Sequence, residues 1–284
     1  MNEVDIQSFW NSHPCGDTLV GGLQQEFSGD YLEFFDRYDA HRYSLEGHIL
    51  ACLDAIHFRD KKVLEIGLGQ GADSEQLVRR GARWSGVDLT PESIERVRTR
   101  FLLKNLPLDE LKRGSALDLP FADHSFDIVF SHGVLHHIPD IRKAQSEIAR
   151  VLKPGGELIM MMYAKWSLNY LLAISLVRRL ALAVTYASGR DPGGIVGQHL
   201  ALARQAGLGN YLRIENFIHR NTDGPLNPYA KVYDRSTIER DFPAFLLTRT
   251  YRRFMHAPPL PVRWLPLERA LGWHLWAHLK PKHD

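Results

Sequence analysis

Residues Val63-Leu64-Glu65-Ile66-Gly67-Leu68-Gly69-Gln70-Gly71 form an apolar run that passes into a turn with three alternating glycines. Gly86-Val87-Asp88-Leu89 follows about one helix later, so a second short strand ends on a carboxylate. This layout predicts a β-α-β unit built to hold an adenosine-containing cofactor. Only a backbone without Cβ lets a ligand come this close while the chain turns sharply into a helix. Asp88, at the end of its strand, would accept hydrogen bonds from both ribose hydroxyls. The turn also satisfies the relaxed dinucleotide pattern Gly67-x-Gly69-x-x-Ala72, so taken alone it suits a nicotinamide cofactor equally well.

Strands and helices alternate around this unit. Strands are expected over residues 62–66, 84–89, a short stretch before Ser115-Ala116, 126–131 and 157–163, and a parallel doubly wound sheet follows from that alternation. Helices are expected over 45–58, over 73–80 with Gly81 as a C-cap, over 92–101 with Thr90 as N-cap and Pro91 in the first position, and over 141–152. The row of arginines on the helix over 92–101 reads as a solvated face. Regularity is lost after residue 163, where apolar helical segments alternate with loops at 191–197 and 221–228. Two late segments, 246–255 and 272–279, alternate like strands and predict a closing antiparallel hairpin. Four regions result: an aromatic N-terminal helical lid over 1–44, a cofactor-binding core over 45–163, a substrate-covering insertion over 164–243, and the closing hairpin over 244–284.

Composition removes some classes of function. A net charge of +2 with no basic stripe gives no argument for nucleic acid. Cys15 and Cys52 are the only cysteines, so no disulfide framework is implied and a reducing cytoplasm fits. The acidic N-terminus lacks the apolar run of a signal peptide. Residues 166–187 are strongly apolar but interrupted by Arg178 and Arg179, and neither half reaches the roughly 20 residues of a spanning helix. A buried or lid-forming helix is expected there rather than stable membrane insertion, with an interfacial or dimer-forming helix as the alternative; a homodimer is compatible with either.

Three further features accompany the glycine turn: Glu65 two residues before it, Leu119-Pro120-Phe121 followed by Ser125-Phe126-Asp127, and Leu152-Lys153-Pro154-Gly155-Gly156 leading into the fifth strand. Together, over residues 60–163, these resemble the class I S-adenosylmethionine-dependent methyltransferases of the small-molecule type. The resemblance implies a seven-stranded, mostly parallel Rossmann-like α/β sheet with an antiparallel final strand. It implies that Gly67, Gly69 and Gly71 pack beneath the methionine and ribose of S-adenosylmethionine, that Glu65 sits near the amino group, that Asp88 binds the ribose and that Leu89 lies against adenine. Many relatives carry an acidic residue just before Ala116, where it accepts from the adenine amino group. This chain has Ser115 there, which leaves Ala116 and Leu117 as the safer adenine contacts.

Ser131-His132-Gly133-Val134-Leu135-His136-His137 leaves the fourth strand at the carboxyl edge of the sheet, where open α/β sheets bind ligands. Relatives often carry a Leu-His-His run here. His136 or His137 is a candidate base, with pocket packing as the competing role. With His132 they make an unconvincing metal ligand set, and no metal is expected. Arg42 could pair with the cofactor's carboxylate, with a solvated helix face as the alternative, and His132 is a further cofactor-binding candidate. Tyr43 is a substrate-binding candidate, and Tyr229, Lys231 and Tyr233 could recognise a substrate phosphate or carboxylate. An ordinary loop entering a helix at Ser236 would explain Tyr229, Lys231 and Tyr233 equally well. The expected activity is methyl transfer by in-line displacement to a small, partly apolar metabolite. The alternatives are an NAD-dependent oxidoreductase and a non-catalytic protein that retains the fold.

Overall fold

A computed structural model describes residues 3–13 and 31–282, which leaves Cys15 and part of the expected lid outside the described residues. Seven strands form one sheet: β1 (Lys62–Ile66), β2 (Arg83–Asp88), β3 (Glu110–Arg113), β4 (Phe126–His132), β5 (Leu152–Tyr163), β6 (Phe245–Arg253) and β7 (His274–Pro281), in the order β3-β2-β1-β4-β5-β7-β6. Strands β1 to β5 pair in parallel, and β7 runs antiparallel to both β5 and β6. The chain winds outward from β1 to β3 on one side and from β4 on the other. The crevice above β1 and β4 is therefore the switch point at which such sheets bind ligands.

Neighbouring residues on the central strands enter opposite cores. Leu64, Val129 and Leu158 belong to one apolar cluster, while Val63, Phe130 and Ile159 belong to the other. A period of two with both faces covered is what a central parallel strand requires. Helix Ile141–Val151 shows the matching helical period, burying Ile141, Ala144, Ile148 and Val151 on one stripe. Asp140 caps it, its side chain accepting from the Lys143 N–H. Helix Pro91–Leu103 begins as expected, with Thr90 as cap and Pro91 at its start.

Three expectations need correction. Arg96 and Arg100 on that helix are buried, not solvated, and Arg98 alone of the three is well exposed. Arg100 is drawn in by helix Tyr31–Glu46: it donates to both oxygens of Asp39 at 2.7 and 3.0 Å, to Glu75 at 2.8 Å and to the Gln70 carbonyl at 2.9 Å. Its guanidinium also lies over the Phe35 ring. Helix Arg235–Asp241 is capped by Asp234 rather than Ser236, because the Asp234 carboxylate accepts from both the N–H and the hydroxyl of Thr237. The third correction concerns the apolar segment after β5. It is one continuous helix, Asn169–Ala187, whose first ten residues are wound as a π-helix. By length and composition it could cross a membrane, and only 17% of its most apolar stretch is buried. Arg178 does not break it, since its guanidinium is spent on the carbonyls of Pro258 and Asn221.

Candidate active site

A cavity of about 410 Å³ opens at the carboxyl ends of β1, β2 and β4. Its floor is the glycine turn. Gly67, Gly69 and Gly71 all have positive φ, at +79°, +51° and +76°. A Cβ on Gly67 would stand 2.2 Å from a Val134 methyl group, so the turn after β4 can close on the turn after β1 only over glycine. Gly67 and Gly69 line the cavity. Gly71 instead faces helix Pro91–Leu103, where a Cβ would press on Val97 and Arg100.

On the β2 side, Asp88 accepts from the Leu68 N–H at 2.7 Å through one oxygen and from the Thr90 N–H and hydroxyl, each at 2.8 Å, through the other. The carboxylate lines the cavity while holding the rim in shape. A slot continues from it past Leu89, Thr90, Ser93, Gly114, Ala116 and Leu117. Ser115 does not line the slot. Its hydroxyl accepts from the Leu117 N–H and donates to Glu3, which arrives on helix Glu3–Ser12 and does line it. Gln7 of that helix donates to the Leu89 carbonyl, and Ile6 and Trp10 complete a roof.

The opposite end is a buried polar nest. Glu65 accepts from the Trp84 indole at 2.8 Å, and burial pushes its carboxyl up to about 8. Arg42 donates to Asp73 at 2.6 Å and approaches His132 Nδ1 at 3.2 Å. Burial pushes the Asp73 carboxyl up, but Arg42, His132 and the Tyr43 hydroxyl outweigh it and hold it below the usual range. Burial also lowers His132 to about 4. Arg42 Nε and His132 Nε2 are buried without a hydrogen-bond partner, on two residues that line the cavity. Together with the glycine cradle, they fit a ligand that carries a carboxylate and needs close backbone approach.

The two candidate bases are not equivalent. His136 is fully buried against Tyr163 and lies outside the cavity lining. Burial holds it well below the usual imidazole range, so it packs rather than accepting protons from a ligand. His137 lines the cavity. Its Nδ1 lies 2.7 Å from the Tyr229 carbonyl, which can only accept, so Nδ1 carries the hydrogen. The Trp10 ring lies steeply inclined to the imidazole, with ring centroids 5.1 Å apart.

The expected substrate residues stand elsewhere. Tyr43 supports Asp73 from outside the lining, at 3.3 Å. Tyr229 contributes its carbonyl to His137 rather than its ring to the cavity. The Lys231 ammonium is neutralised by Asp241, and the Lys231 backbone N–H donates to the His136 carbonyl. Tyr233 is wholly buried in the core. Tyr229 and Lys231 thus hold the histidine turn in place, while the Tyr233 backbone pairs with the end of β5. The helix Asn169–Ala187 does not reach the cavity, so it is no lid; of residues 164–243, Asp223 alone among the described residues lines it. Sequence reasoning missed Asp73, although it lies two residues past the glycine turn. It also missed Glu3, Glu46, Tyr163, Asp223 and His274, which arrive from distant elements with no local signal, whereas Trp10 belongs to the aromatic N-terminal segment expected as a lid. Among the described residues no group of three or more His, Cys, Asp or Glu could hold a metal ion.

Residues 64–160 match the family described as methyltransferase domain. A fatty-acid O-methyltransferase of Mycolicibacterium smegmatis is 36% identical over 120 residues, 42% of each chain. The phthiotriol/phenolphthiotriol dimycocerosates methyltransferase of Mycobacterium leprae is 35% identical over 36% of this chain and 38% of its own. The chain thus spans about two fifths of the length of these relatives. Among solved structures, an S-adenosylmethionine-dependent methyltransferase from Mesorhizobium loti superposes with a TM-score of 0.53 at 17% identity, covering 83% of this chain and 97% of that one. The putative methyltransferase solved with the Trm112 activator of Haloferax volcanii gives the same TM-score and identity over 100% and 99% of the two chains. The family match makes residues 64–160 a methyltransferase domain, and the sheet has the fold of these solved S-adenosylmethionine-dependent methyltransferases. In the chain at hand that domain is completed by β6 and β7 and roofed by helix Glu3–Ser12.

Proposed function

We propose that the chain transfers the methyl group of S-adenosylmethionine to a small, partly apolar molecule. The observation that carries this reading is one cavity with a glycine floor, Asp88 on its ribose side and the orphaned Arg42 Nε and His132 Nε2 at its far end. Gly67 and Gly69 admit the close approach of the cofactor, Asp88 takes the ribose hydroxyls, and Arg42 with His132 meets the carboxylate. Glu65 stands by the amino group. The cofactor supplies an activated methyl on a sulfonium, a leaving group that needs no metal. The protein's part is to orient the acceptor, exclude water and receive a proton at His137 Nε2. Val134, Ile138, Met161, Tyr163 and Trp10 surround that end with apolar and aromatic surface, which supports an acceptor with an apolar body. Named relatives that act on a fatty acid and on phthiotriol dimycocerosates point the same way. The test is calorimetric binding of S-adenosylhomocysteine against NAD; binding of NAD alone would overturn the assignment.

Glu3 takes up the role that Ser115 cannot. Anchored by the Ser115 hydroxyl and lining the slot beyond Asp88, its carboxylate is placed to accept from a purine amino group. Glu3→Gln is expected to reduce the preference for S-adenosylhomocysteine over S-inosylhomocysteine by about tenfold, since inosine carries no amino donor and a bond to a charged acceptor is worth about 1.5–3 kcal/mol. Equal preference in wild type and variant, read by calorimetry, would remove Glu3 from the cofactor site.

A further inference from the structure

The acceptor end of the cavity holds an unresolved pairing. Because His137 Nδ1 donates to the Tyr229 carbonyl, the other nitrogen, Nε2, presents a bare lone pair whenever the ring carries one proton. That nitrogen is buried and has no hydrogen-bond partner. What faces it, at 3.5 Å, is Oδ2 of Asp223, a second acceptor, too far for a bond and on a residue that also lines the cavity. Asp223 is held there firmly. Its Oδ1 accepts from the Tyr163 hydroxyl at 2.7 Å, and Oδ2 accepts from the Asn227 amide at 3.3 Å. Tyr163 is in turn stacked on Trp273, with ring centroids 4.4 Å apart. Two fixed acceptors facing each other at the edge of a cavity ask for a donor between them.

We infer that the methyl acceptor is a neutral hydroxyl, an alcohol on an apolar body, whose O–H is shared between His137 Nε2 and Asp223. This rests on the methyltransferase reading above and deepens it. A carboxylate would meet the Asp223 charge in a cavity of low dielectric, and like charges there repel strongly. An ammonium would suit Asp223 but would stand beside the cofactor's own positive sulfur, with the same penalty. The neutral hydroxyl avoids both and supplies the missing donor. In the step, the hydroxyl proton passes to His137 Nε2, the alcohol oxygen forms a bond to the methyl carbon, and the carbon–sulfur bond breaks with its electron pair remaining on sulfur. The products are a methyl ether, the neutral thioether of S-adenosylhomocysteine and a protonated His137, whose new charge Asp223 stabilises.

The test compares dodecanol, dodecanoate and dodecylamine as acceptors, with S-adenosylmethionine labelled in the methyl group, in wild type and Asp223→Asn. Binding of S-adenosylhomocysteine is measured separately by calorimetry. Dodecanol is expected to be methylated at least about tenfold faster than either charged probe. Asp223→Asn is expected to slow dodecanol transfer by about 100-fold, the low end for losing a general acid–base partner, with S-adenosylhomocysteine affinity unchanged. Faster transfer to dodecanoate or dodecylamine, transfer to none of the three, or an unaltered dodecanol rate in the variant would each overturn the inference. Loss of S-adenosylhomocysteine binding by the wild-type protein would instead overturn the cofactor reading beneath it.

Discussion

Asp88→Ala is expected to weaken S-adenosylhomocysteine binding by more than about 100-fold, the effect of removing an ionised acceptor that serves two ligand donors. The residue does two things at once. It faces the cavity, and it fixes the rim through the Leu68 N–H, the Thr90 N–H and the Thr90 hydroxyl. Removing the carboxylate leaves the Leu68 N–H without an acceptor at the point where the glycine turn meets the ligand. Asp88→Asn separates the two roles, since its amide oxygen can keep one rim contact while the charge is lost. The alanine variant should therefore lose affinity more completely than the asparagine variant, with both folded by circular dichroism. Unchanged calorimetric affinity in Asp88→Ala would sink the cofactor assignment.

The largest effect on stability is expected at Arg100. Its side chain has no exposure and joins three elements: Asp39 on helix Tyr31–Glu46, Glu75 on helix Ala72–Arg79, and the Gln70 carbonyl in the glycine turn. Arg100→Met keeps much of the volume but takes from the largely buried Asp39 its close partner and from Glu75 one of three cations, Arg79 remaining at 2.8 Å. Breaking a buried ion pair from one side costs about 3–5 kcal/mol, partly relieved here because Lys104 also reaches Glu75 at 3.0 Å. The thermal midpoint should fall by roughly 10 °C. Arg98→Ala, two residues away and exposed, is the control and should stay within about 0.5 kcal/mol of wild type. An Arg100→Met midpoint as close to wild type as that of Arg98→Ala would show that the triad contributes no net stability.

Arg100 also shows why part of this molecule was legible in its sequence and part was not. Strand β1, the Thr90-Pro91 helix start and the buried stripe of Ile141–Val151 rest on local rules of period and capping, and they stand where the residues predict them. Gly67, Gly69 and Asp88 line the cavity, at the positions that spacing within one β-α-β unit gives them. A row of arginines on a helix has a local reading too, and that reading failed because Asp39 lies 61 residues away and was not part of the pattern. The same limit hid Asp223 and Glu3. Each reaches the cavity from a segment with no chemical motif of its own, and only the folded chain brings it there. His136 and His137 were indistinguishable as a pair of letters. The Tyr229 carbonyl, 92 residues on, separates them.

Helix Glu3–Ser12 touches both ends of the cavity, through Glu3 beside Ser115 and through Trp10 against His137. Because it is one short rigid rod, it is seated at both ends or at neither. On the reading proposed above, a bound purine that holds Glu3 also favours Trp10 over the acceptor site, although the two ligands need not touch there. Linkage then runs in both directions: whatever factor the cofactor adds to the affinity for the alcohol, the alcohol returns to the affinity for the cofactor.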